Sequence, residues 1–119
     1  MVRIKRIYEK ASLDDGCRIL IDRAWPRGFT RRRAKVDLWL KEIAPSDELR
    51  KWFARDPAKW VEFIRRYFRE LEDRQEAVLQ ITKKIKEGQV TLLYGAKDKE
   101  INNAVVLQEF ICAKLRRWV

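Results

Sequence analysis

The residues best equipped for chemistry lie at two places in the chain. Asp22, Arg23, Trp25, Pro26, Arg27 and Gly28 follow the apolar run Arg-Ile-Leu-Ile at 18–21. Tyr94, Gly95, Lys97, Asp98 and Asn102 lie between a second apolar run and the start of a helix. Guanidinium forks at Arg23 and Arg27 suit a phosphate or carboxylate, which they engage through two parallel N–H bonds. Gly28 and Gly95 let the backbone come close to a ligand. A helix N-terminus beside Asn102 adds unpaired N–H groups and positive potential, a setting that receives anions. The combination points to a pocket for an anionic or phosphate-bearing small molecule, with Asp22, Arg23, Trp25, Arg27, Tyr94, Lys97, Asp98 and Asn102 as its ligand-binding residues. Should it be an enzyme, Asp22 or Asp98 is the candidate acid/base and the arginines stabilise negative charge.

What is missing narrows the chemistry. The chain has no histidine, which removes imidazole general-base catalysis and most zinc, copper and non-haem iron sites. Cys17 and Cys112 are far apart, show no Cys-x-x-Cys spacing and read as plain core thiols. Without His or an activated Cys, hydrolytic nucleophilic catalysis is disfavoured. No cofactor is expected, and no metal beyond an oxygen-bound Mg²⁺.

Between the two places runs a basic stretch. Arg23, Arg27, Arg31, Arg32, Arg33 and Lys35 occur with no acid among residues 23–35. Such a run is either a solvated face or a contact surface for phosphate backbones. The second reading makes Arg27, Arg31, Arg32, Arg33 and Lys35 a nucleic-acid-binding set, with binding that ignores base sequence. The site residues have structural readings too. Asp22 can form a local ion pair, Trp25 can plug a core, and Asn102 or Asn103 can cap a helix.

The elements that must position these residues are legible from periodicity. Residues 2–8 alternate Val2, Ile4 and Ile7 with charge, a strand with one imperfect step. Residues 17–23 read as a short buried strand, and the Asp-Gly turn before it suggests a hairpin, because too few residues intervene for a crossover helix. The segment from Trp25 to Lys35 has no apolar period and reads as a long loop with at most one helical turn. Residues 36–43 fit a short strand. Ser46 before Asp47 and Glu48 starts a short helix carrying Leu49, Trp52 and Phe53. Asp56-Pro57 starts the next, whose apolar face runs from Trp60 to Leu71. A further helix carries Ala77, Val78, Ile81 and Ile85 and ends at Gly88. Residues 90–95, Val-Thr-Leu-Leu-Tyr-Gly, are the clearest buried strand, and the last helix faces inward with Ala104, Leu107, Phe110, Ile111, Leu115 and Trp118.

Strands mixed with helices imply an α/β fold. The expectation is a single small domain over residues 1–119, with a mostly parallel or mixed sheet of about four strands packed with four to five helices. A length of 119 residues and an apolar fraction of 46% suit one core. No apolar run is long enough to span a bilayer and the first residues are not a signal peptide, so the default location is the cytoplasm, with no membrane partner. The net charge of +10 favours acidic partners, while a charged fraction of 39% with both signs also suits the ion-pair-laced surface of a thermophile.

Four stretches in order, Asp-Asp-Gly-Cys-Arg-Ile-Leu-Ile-Asp-Arg-Ala-Trp-Pro-Arg-Gly from 14, Asp-Leu-Trp-Leu from 37, Asp-Pro-Ala-Lys-Trp from 56 and Val-Thr-Leu-Leu-Tyr-Gly from 90, resemble the YeaO-like proteins of domain-of-unknown-function family 488. Asp22, Arg23, Trp25, Pro26, Arg27 and Gly28 match that family's Asp-Arg-x-Trp-Pro-Arg-Gly signature. Ser46, Leu49, Arg50, Trp52 and Phe53 match its next stretch, and Asp98 and Asn102 its acidic loop and helix-start asparagine. The resemblance implies a small cytoplasmic α/β protein without an assigned activity. Where the family commonly has a histidine this chain has Ile101, and where distant relatives carry a cysteine it has Tyr94, which weighs against catalysis. Three readings follow: the anion pocket, the nucleic-acid-binding module, and an interaction protein whose aromatic helices form a dimer. Where Arg23 and Arg27 point discriminates among them.

Overall fold

A computed structural model describes residues 2–117. Its centre is β4 (Val90–Tyr94), five residues all buried. β1 (Val2–Arg6) and β2 (Cys17–Leu20) pair with it on either side, β3 (Leu38–Trp39) pairs with β2, and every pairing is parallel, in the order β1-β4-β2-β3. Val90 stands level with both Val2 and Cys17. The sequence expectation was a mostly parallel or mixed sheet of about four strands, and the sheet is wholly parallel with four.

The hairpin between the first two strands is not formed. β1 and β2 are parallel and β4 lies between them. Residues 7–16 return the chain without a crossover helix, for an extended segment spans about 3.3 Å per residue and these short strands leave little distance to recover. The Asp-Gly signal belongs instead to a 3-10 turn over Leu13–Asp15, capped by Ser12 and ended by Gly16. The imperfect step in the first strand has a cause as well. Val2 and Ile4 join the main core, whereas Ile7 is buried in a second, smaller one.

Alternation along β4 explains the two cores. Val90, Leu92 and Tyr94 face the main core, and Leu93 faces the other side with Ile7, Leu20 and Ala34. The main core is closed by the long helices. α5 (Asn103–Arg117) packs on β1 and β4, α3 (Trp60–Glu72) packs on α5, and α4 (Gln75–Glu87) packs on both. α2 (Asp47–Phe53) leans on α3, with Phe53 stacked on Phe63 at 4.3 Å. The opposite face has only a thin cover: α1 (Arg31–Ala34) and the loop around Trp25 and Phe29, packed with Trp39 of β3. The 36–43 segment keeps strand form only at Leu38–Trp39 and then turns into a 3-10 segment over Lys41–Ile43. The helix starts are capped by Ser46 to Leu49 N at 3.1 Å and by Asn102 to Val105 N at 3.0 Å. Trp118, expected on the inner side of the last helix, lies outside the described residues.

Beneath the thin cover lies a charged cluster. Asp15 is 4% exposed and accepts from Arg18 at 2.6 Å and Lys5 at 3.1 Å. Arg18 also donates to the carbonyls of Ala34 at 2.9 Å and Lys35 at 3.0 Å, which fastens the end of α1 to the sheet. These are the carbonyls a helix C-terminus leaves without intrahelical partners.

Candidate functional site

Parallel strands deliver their following loops to one edge of the sheet, and ligands of open α/β folds bind there. A cavity of about 740 Å³ occupies that edge on the α5 side. The end of β2 contributes Asp22 and Arg23, the loop after β4 contributes Lys97 and Asp98, the start of α5 contributes Asn102 and Asn103, and the end of α2 contributes Arg50, Phe53 and Arg55.

Asp22 ties these pieces together. Its Oδ2 accepts the backbone N–H of Gly95 at 2.8 Å, and its Oδ1 accepts Nδ2 of Asn103 at 3.2 Å. A Cβ at position 95 would stand 3.1 Å from Oδ2, so glycine leaves the room this bond needs. Its carbonyl accepts the indole N–H of Trp39 at 2.8 Å, which joins β2 to β3 beyond their last pair. Burial pushes the Asp22 carboxyl above its ordinary 3.8, opposed by the bonds from Asn103 and Gly95 and by the charge of Arg55.

Asp98 is spent differently. It is exposed, and its Oδ1 accepts the N–H groups of Glu100 at 2.8 Å and Ile101 at 3.0 Å, bonds that hold it below the usual carboxylate range. Asn102 donates to the carbonyl of Asp98 at 2.9 Å while its Oδ1 caps α5, so both ends of that amide are engaged. Asp98 and Asn102 therefore shape the loop. Both carboxylates line the cavity, and each already accepts hydrogen bonds within the protein.

The cations come from two sides. Arg23 reaches across to the carbonyl of Pro45 at 3.4 Å and lies 3.9 Å from Asp47, which Arg50 also engages at 3.3 Å. Arg55 and Lys97 form no ion pair among the described residues. Arg55 owes its position to two successive left-handed residues, Ala54 at φ 45° and Arg55 at φ 58°, a conformation unfavourable for residues with a Cβ. The facing wall at Ala44 and Pro45 is braced from α3. Tyr67 donates to the carbonyl of Ile43 at 2.6 Å, Glu70 accepts from Ser46 N at 2.9 Å, and Arg74 donates to the Ala44 carbonyl.

Of the residues expected to bind a ligand, the cavity gathers Asp22, Arg23, Lys97, Asp98 and Asn102. Trp25, Arg27 and Tyr94 do not line it. Trp25 packs edge-on to Trp39 at 5.3 Å and donates to the carbonyl of Phe29 at 2.7 Å, as part of the second core. Tyr94 is buried in the main core. Arg27 is exposed outside the lining, in the same loop as Phe29. Arg50, Arg55 and Asn103 were missed as pocket residues. The resemblance included Arg50 and Asn103 was read as a possible helix cap, but no periodic signal marks the left-handed Ala-Arg pair that sets Arg55. Among the described residues no group of three or more His, Cys, Asp or Glu side chains gathers to hold a metal ion, and no helix is long and apolar enough to cross a membrane.

The chain belongs to domain-of-unknown-function family 488. The model of its inactive DUF488-N3 subclade, DUF488-N3i, matches residues 1–118. The chain is 38% identical over 110 residues to the uncharacterized protein YeaO of Escherichia coli (strain K12), covering 92% of this chain and 96% of that one. Uncharacterized proteins of Mycobacterium tuberculosis and Mycobacterium bovis are each 36% identical over 110 residues, covering 92% of both chains. No solved structure matches.

Proposed function

We propose that this protein binds a small organic molecule bearing a phosphate or another anionic group, in the cavity at the ends of β2 and β4. The observation that carries this reading is the charge arrangement. Arg23, Arg50, Arg55 and Lys97 surround a cavity whose two carboxylates, Asp22 and Asp98, are both already hydrogen-bonded within the protein. A volume of about 740 Å³ exceeds the needs of a bare phosphate and falls in the usual range for small-molecule sites. Phe53, Phe63, Pro45 and Ile101 offer an apolar wall for the rest of the ligand. Binding without turnover fits the family model's own description as inactive, and fits two acids committed to loop geometry. The reading includes a cytoplasmic location and needs no cofactor.

Calorimetry with phenyl phosphate and inorganic phosphate tests it. Phenyl phosphate should bind, and Arg55→Ala should weaken it about ten- to hundredfold, the loss of one charge-assisted bond of about 1.5–3 kcal/mol. Arg27→Ala should leave it unchanged. No heat from phenyl phosphate, or equal losses from Arg27→Ala and Arg55→Ala, would remove the pocket from the account.

A further inference from the structure

The positive charge is not spread evenly. Around the helices part of the positive charge is neutralised locally: Arg65 and Arg66 pair with Glu62, Arg74 with Glu70, Lys84 with Glu87. On the thinly covered face of the sheet the pattern changes. Arg27, Arg31, Arg32, Arg33 and Lys35 are exposed, and none forms an ion pair among the described residues. No acid occurs between Asp22 and Asp37. Ion-pair stability does not account for this stretch, because it lacks the pairs.

Aromatic rings run through the same surface. Tyr8 is 43% exposed and packs against Phe29 at 5.1 Å. Arg6 lies over the Tyr8 ring at 5.1 Å, Arg33 over Phe29 at 5.5 Å and Arg31 over Trp25 at 5.8 Å. The guanidinium of Arg6 is further held by the Ala96 carbonyl at 2.9 Å. Thr30 caps α1, and Arg18 fastens its far end, so the arginines are mounted on an anchored turn. A rigid row of unpaired cations interleaved with an exposed ring and planar guanidinium groups matches a polyanion that also presents flat, unstacked bases. A duplex hides its base faces, and a small anion needs no such length of surface.

We infer that the face carrying Tyr8, Arg27 and Arg31–Arg33 binds single-stranded nucleic acid, by phosphate contacts to the arginines and base stacking on the Tyr8 cluster, independently of the cavity. Fluorescence anisotropy with oligomers of thymidylate and of uridylate, about twenty nucleotides long, and with a duplex of equal length, tests this. Both single strands should bind more tightly than the duplex, with a log–log salt slope near −2 for about three neutralised phosphates. Preference between the two oligomers distinguishes DNA from RNA as the natural form. Tyr8→Leu should weaken the single strands about tenfold with the slope unchanged. Arg32→Ala with Arg33→Ala should flatten the slope by about 1.4 units. Excess phenyl phosphate should not displace the oligomer, which keeps this surface distinct from the pocket. The inference is overturned if neither oligomer is retained at low salt. It is equally overturned if duplex and single strands bind alike and Tyr8→Leu has no effect.

Discussion

Asp15→Asn should lower the unfolding free energy by about 3–5 kcal/mol, the usual result of removing one partner from a buried charged pair. Asp15 and Arg18 are 4% and 6% exposed, so neither charge has water to turn to. The carboxylate accepts from Arg18 at 2.6 Å, from Lys5 Nζ on both of its oxygens at 3.1 and 3.2 Å, and from the N–H of Ser12 at 3.0 Å. An Asn amide can keep bonds at one oxygen only, its NH₂ then faces donors, and the Arg18 charge is left buried and uncompensated. Thermal unfolding should fall by roughly 10–20 °C for a domain of this size. The pH response follows from the same contacts. Burial alone would push Asp15 up, but the bond from Ser12 and those from Lys5 and Arg18 outweigh it and hold the carboxyl below its ordinary 3.8. Its stabilisation is therefore complete above that value and is lost as pH falls through the folded value. Wild type should lose stability on acidification and Asp15→Asn should lose less, which a pH series of urea melts would read. Equal pH curves for the two proteins would refute the assignment.

Gly16→Ala should be comparably damaging, by about 3–4 kcal/mol from backbone strain plus a lost sheet bond. Gly16 has φ 66° and ψ −136°, a conformation that belongs to glycine. A Cβ there would stand 2.2 Å from the carbonyl oxygen of Gln89, which is backbone and has no side-chain freedom to yield. That same oxygen accepts the N–H of Cys17 at 2.9 Å, the bond that leads into the β2–β4 pairing. Gly28→Ala is the control. It has a similar φ of 81° but nothing within 4 Å, so only strain of about 1 kcal/mol should register. Urea midpoints with unchanged m-values would separate the two. A Gly16→Ala protein as stable as Gly28→Ala would mean that the close approach to Gln89 is not there.

These two positions also mark where reading the chain succeeds and where it stops. Elements whose cause is local were legible: the buried run of β4, the caps at Ser46 and Asp56-Pro57, and the apolar stripe from Trp60 to Leu71. Gly16 was legible as a turn. Where the chain went next was not, because β4, which separates β1 from β2, arrives more than seventy residues later. Asp15 looked like ordinary turn chemistry for the same reason, since its burial is created by Arg18 and Lys5 from two different strands. In the site, the strand-end position of Asp22 and Lys97 followed from the apolar runs before them. Trp25 and Arg27 were grouped with Asp22 by sequence proximity, but after Ala24 the chain leaves the cavity and Trp25 joins the second core on the other face of the sheet. Asn102 and Asn103 are neighbours with different tasks. The first caps α5, and the second, one step into the helix, reaches Asp22.

A small phosphate-bearing ligand is expected in the cavity and not on the basic face. A crystal structure grown with phenyl phosphate tests it most directly. The predicted result is phosphate density about 3 Å from the head groups of Arg55 and Lys97, with the ring against Phe53 and Phe63. Density confined to the Arg27–Arg33 surface, with the cavity holding only water, would contradict it.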